Sequence, residues 1–117
     1  MSTAPRKTGF VAIGLLGVLG ALTSLTAVAE PTGAQIAEAK GCMACHALDK
    51  EVWGPSLRQV ARYYRPLSTG QALMAQKILK GSAEHWGDRS MPAHATRPVS
   101  VSSAEAEQIA AWVLTLQ

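Results

Sequence analysis

The sequence predicts an all-α domain of about four short helices. Two observations carry that expectation. Near the end of the chain Ile109, Trp112, Val113 and Leu116 recur at i, i+3, i+4 and i+7, one face of a helix, behind the capping box Ser102-x-x-Glu105. Upstream, every readable segment after residue 30 is helical or loop, punctuated by Gly and Pro, with no internal repeat or low-complexity stretch.

The elements follow in chain order. Arg6 and Lys7 precede an apolar run from Phe10 to Leu22, and Ala27-Val28-Ala29 supplies a small-residue cleavage site, so residues 1–29 read as a secretory signal peptide. An uncleaved membrane anchor is the alternative, but a span of about 20 residues would take in Thr23, Ser24 and Thr26 and three spaced glycines. Residues 30–117 then form the domain. Residues 31–40 read as a helix, with Pro31 tolerated in its first turn and Gly41 ending it. Residues 47–54 are loop. Pro55-Ser56 opens a helix over 57–64 with Leu57, Val60, Ala61 and Tyr64 on one face, and Pro66 stops it. Ser68 or Thr69 caps a helix over 71–80, whose apolar stripe is Leu73, Met74 and Ile78 and whose end is Gly81. Residues 82–100 make a loop long enough to suggest function.

Charge excludes one class of function. Removing Arg6 and Lys7 with the signal lowers the formal net charge of the 117-residue chain from +3 to +1, and no basic patch interleaved with aromatics remains, so nucleic-acid binding has no support. After signal cleavage, no stable membrane insertion is expected.

Cys42-Met43-Ala44-Cys45-His46 carries the chemistry. Two thiols three positions apart, followed at once by histidine, are the attachment signature of a c-type haem. Cys42 and Cys45 would each add to a porphyrin vinyl group, and His46 would reach the iron as proximal ligand. The rivals are weaker. A thioredoxin-like pair needs a βαβ context. A zinc site needs four ligands, which only His85 and His94 could complete. A disulfide between such close neighbours would be strained. Haem also answers a size problem, since a domain this short buries little apolar surface without a staple.

The second axial ligand decides the chemistry. The candidates are Met43, Met74, Met91, His85 and His94. Met43 lies between the attaching cysteines and Met74 at a helical apolar position. Met91, in the loop and followed by Pro92, is the best placed, with His94 the main alternative and an open site third. Otherwise His85 and His94 read as exposed loop residues, and Trp53 as ordinary core or rim burial. A His/Met pair fills both axial positions, which argues for outer-sphere electron transfer and assigns no catalytic residue.

The chain resembles the short bacterial class I cytochromes c, monohaem periplasmic electron carriers. The resemblance rests on Gly41-Cys42-x-Ala44-Cys45-His46-Ala47, Gly54-Pro55, Lys80-Gly81-Ser82, Trp86-Gly87, Met91-Pro92 and Ala111-Trp112-Val113-Leu114. It implies the cytochrome c fold and a Pro55 carbonyl that holds the proximal histidine. It also implies that Lys77 and Trp86 bond a haem propionate. The implied partners are periplasmic redox proteins: a cytochrome complex or dehydrogenase as donor, an oxidase or reductase as acceptor. The protein would be a monomer; a haem subunit of a periplasmic dehydrogenase, such as a sulfite-oxidising enzyme, is the alternative. Two departures stand out. Ile36 and Ala37 occupy the first-helix position where the family usually has an aromatic facing Trp112, and the stretch after Met91 is longer by about five residues, judged as loop growth.

Overall fold

The structure, a computed structural model, describes residues 1–5, 9, 14, 27–83 and 85–117. Most of the segment read as a signal peptide lies outside the described residues. Among the described residues no helix is long and apolar enough to cross a membrane.

Among the described residues four α-helices form: α1 Gly33–Ala39, α2 Leu57–Tyr64, α3 Gly70–Lys80 and α4 Ser103–Thr115. A single 3-10 turn, Cys42–Ala44, lies between α1 and α2, and no strand appears among the described residues. The capping residues explain most boundaries. Ser102 and Glu105 close a reciprocal box at the start of α4. Ser56 and Gln59 do the same for α2, and Thr32 and Gln35 for α1. The first helix therefore starts at Gly33 rather than in a turn containing Pro31: the Thr32 side chain satisfies the Gln35 N–H that helix termini leave orphaned. At α3, Thr69 occupies the cap position without a side-chain bond.

α4 is the organising element and packs against α1, α2 and α3. Its buried face is Ala106, Ile109, Ala110 and Val113, with Trp112 half-buried at the edge. α2 contributes the expected Leu57, Val60, Ala61 and Tyr64. α3 corrects one expectation: Met74 and Ile78 are buried with Ala75, but Leu73 is 39% exposed and outside the core. The missing first-helix aromatic is replaced by close backbone approach. A Cβ on Gly33 would sit 2.2 Å from the Gln108 carbonyl oxygen and 2.6 Å from Trp112 Cβ, so glycine lets α1 lie directly on α4, with buried Ile36 and Ala37 beside it.

Two other expectations change. His94 is not an exposed loop residue: its N–H donates to the Ile78 carbonyl, its own carbonyl accepts from Val101 N–H, and it is 5% exposed. Trp53 is not buried, being 57% exposed. The Arg89 guanidinium lies over its ring at 4.8 Å, a stack that needs no burial.

Candidate cofactor site

The four helices and the long loop wall a central cavity with about 1200 Å³ of space, part of it open to solvent. No large side chain is fully buried anywhere among the described residues. Protein interiors are close-packed, so a domain whose centre is space is built around something other than its own side chains.

Gly41 begins the site. Its left-handed conformation, φ +79°, ends α1 and turns the chain into the 3-10 turn, where Cys45 N–H and His46 N–H both bond the Cys42 carbonyl, at 3.2 and 3.1 Å. At three residues per turn, Cys42 and Cys45 fall on one side. Both are half-buried, unpaired and on the cavity wall. Burial is the main influence on the Cys42 thiol and pushes its pKa up. The histidines that could have completed a zinc site do not join them: among the described residues no three His, Cys, Asp or Glu side chains gather as a metal site requires.

His46 is held by its neighbours. Nδ1 lies 2.7 Å from the Pro55 carbonyl oxygen. A carbonyl only accepts, so Nδ1 carries the proton and the Nε2 lone pair is free to coordinate. The ring is also boxed in by Gly54, where a Cβ would fall 2.6 Å from His46 Cε1. The Gly54 N–H bonds the Cys45 carbonyl at 2.8 Å, fastening the loop under the ring.

Met91 is half-buried on the same cavity. Its backbone pairs both ways with Ser82, at 2.9 and 2.7 Å. Gly81, at φ +82°, permits that approach, because a Cβ there would meet the Met91 carbonyl oxygen at 2.6 Å. Met74 is buried in the core at 4% exposure, while Met43 is exposed. His94 also lines the cavity, and Arg97 approaches its Nε2 at 3.3 Å. Arginine only donates, so Nε2 accepts and the ring proton is on Nδ1, which has no partner. In this arrangement neither nitrogen of His94 has a free lone pair. Burial, then the Arg97 charge, holds its pKa below the ordinary value.

Lys77 and Trp86 are on the wall as well. Together with Arg89 and Arg97 they make its polar part cationic or donor-rich, and no Asp or Glu is among the described lining residues. The site thus fits a haem on four counts: thiols on one side of a turn, an imidazole with a free lone pair, a restrained thioether, and an apolar cavity whose polar groups suit two carboxylates. Arg89 and Arg97 carried no sequence signal, because their roles depend on how the long loop folds back.

Comparison with known proteins gives the same answer. The family model for cytochrome c matches residues 31–117. The chain is 38% identical over 86 residues to cytochrome c-551 of Pseudomonas denitrificans, covering 74% of this chain and 99% of that one. It is 40% identical over 83 residues to cytochrome c-552 of Hydrogenobacter thermophilus, covering 71% and 80%. The crystal structure of Nitrosomonas europaea cytochrome c552 superposes with a TM-score of 0.66 at 36% identity, over 72% of this chain and 99% of that one.

Proposed function

The chain belongs to the cytochrome c family, and on that premise we propose that it carries single electrons between redox proteins, with iron held between His46 and Met91. The cofactor is one covalently attached haem c, which supplies a one-electron Fe(II)/Fe(III) couple. The remaining work is done by the chain. Cys42 and Cys45 would hold the haem through thioethers, each thiol adding its sulfur and its proton across one vinyl group, an addition that would need no oxidant. Pro55 fixes the His46 ring through Nδ1. Lys77 and Trp86, on the cavity wall, take the haem carboxylates.

The observation that carries the reading is that His46, locked in its coordinating tautomer, shares one cavity with a methionine whose backbone is pinned on both sides. The Arg97–His94 contact supports Met91 over His94, since the histidine's accepting nitrogen is already engaged. His46 and Met91 would together hold the iron, which would leave no position for a substrate on it. Exposed Met43, Leu48, Val52 and Trp53 near the attachment turn offer an apolar rim for brief contacts. Donor and acceptor are a cytochrome complex or dehydrogenase and an oxidase or reductase. A free carrier is favoured over a dehydrogenase subunit because the relatives matched over most of their length are small cytochromes c-551 and c-552.

Residues 1–29 would direct export to the periplasm and be removed, leaving residues 30–117. The family match beginning at residue 31 supports that boundary.

The test is optical. The ferric parent protein is expected to show the weak far-red band of methionine-ligated haem, and Met91→Ala to lose it together with a fall in reduction potential. A parent without the band, or a Met91→Ala variant that keeps it, overturns the ligand assignment.

A further inference from the structure

Two loops contribute to the wall of the cavity. One, residues 47–55, is bound to the proximal histidine through the Pro55 carbonyl and an isolated bridge between His46 and Glu51, and to Cys45 through the Gly54 N–H. The other presents Met91. Arg89 crosses between them. Its guanidinium donates to the carbonyls of Val52 and Trp53 at 3.0 and 2.9 Å, lies over the Trp53 ring at 4.8 Å, and stands 3.9 Å from the Glu51 carboxylate. Among the described residues these are the side-chain hydrogen bonds that join the two loops. Both Arg89 and Trp53 line the cavity.

We propose that Arg89 is a positioning residue for the distal ligand, clasping the Met91 segment to the proximal loop so that Met91 stays on the iron. The inference rests on Met91 being that ligand. Two residues of chain span at most about 7 Å, so a tether at Arg89 acts close to Met91. An outward swing of this stretch, which would carry Met91 off the iron, breaks both carbonyl bonds and the ring stack in addition to the Met91 pairing with Ser82. Both carbonyl bonds come from the one Nη1 nitrogen, which leaves the planar guanidinium free to lie flat on the indole, a stack for which a lysine amine has no plane. The Glu51 contact contributes little, being long and exposed on both sides. The clasp therefore depends on carbonyls and a ring rather than on an ion pair, and it persists in high salt.

The experiment is an imidazole titration of ferric, haem-loaded protein, in which the iron–sulfur bond to Met91 breaks, an iron–nitrogen bond forms and the oxidation state is unchanged. Arg89→Ala is expected to bind imidazole about tenfold more tightly than the parent, as loss of a partly exposed stack and two charge-assisted bonds implies. Arg89→Lys should fall between the two, Glu51→Gln should match the parent, and the difference should survive 0.5 M salt, added as roughly three times beyond where surface pairs are screened. In a Met91→Ala background the Arg89 substitution should change nothing, since no methionine is left to displace. A parent lacking the far-red band overturns the Met91 assignment and the clasp with it. A parent that has the band, with Arg89→Ala within about twofold of it, overturns the clasp alone. An equal gain in the Met91→Ala background also overturns it, by showing that Arg89 limits access rather than holding the ligand.

Discussion

A methyl group added at residue 54 would meet the proximal histidine. The Cβ of Gly54→Ala falls 2.6 Å from His46 Cε1, and backbone on both sides is fixed by the bonds to Cys45 and from His46 to Pro55. Overpacking of this kind costs about 1–3 kcal/mol. Gly54→Ala is accordingly expected to lower the melting temperature of the haem-loaded protein and shift its reduction potential, whereas parent-like values of both would mean the ring has room to move. At this scale legibility divides by locality. Cys42, Cys45 and His46 could be read directly because their chemistry is encoded in five adjacent residues. His94 and Trp53 could not. The burial of His94 is decided by Ile78 and Val101, 16 and 7 residues away, and the Trp53 ring finds its stacking partner in Arg89, 36 residues away. Neither partner leaves a trace in local sequence.

Among the elements, α2 and the box that opens α4 could be read closely, since each has a cap and an apolar face within its own residues. The start of α1 differs from expectation because the box Thr32-x-x-Gln35 sets it, and Leu73 lies outside the core because helical spacing alone does not say how wide the buried stripe is. The Gly33 approach to α4 was likewise hidden, because a glycine in a helix reads as a weakness until its neighbour is known. The α4 box makes a pH prediction. Glu105 accepts from Ser102 N–H and pairs with Lys40 at 3.1 Å, and the Ser102 bond first, then Lys40, lowers its pKa from the ordinary 4.5. A lowered folded-state pKa means the unfolded chain takes up the proton first as pH falls. The stabilisation is therefore complete above pH 4.5 and is lost progressively below it. Glu105→Gln keeps an acceptor but removes the titration, so its melting temperature should decline less steeply below pH 4.5 than the parent's. Parallel declines would contradict this role.

For the whole molecule, the cavity at the centre of the domain is the dominant fact. The buried residues of all four helices surround it without filling it, so the cofactor completes the core as well as the chemistry. Replacing both thiols, Cys42→Ser with Cys45→Ser, is expected to abolish covalent attachment and most far-UV helicity of the haem-free chain; native helicity without haem would show that the helices pack unaided. The chain is proposed to fill both axial positions, which would leave the iron to exchange electrons only. Carbon monoxide tests that most directly, because it binds ferrous haem wherever the sixth position is open or weakly held. The ferrous protein at neutral pH is predicted to show an unchanged spectrum under carbon monoxide. Conversion to a carbon monoxide complex would mean that Met91 does not hold the site, and would contradict the carrier account.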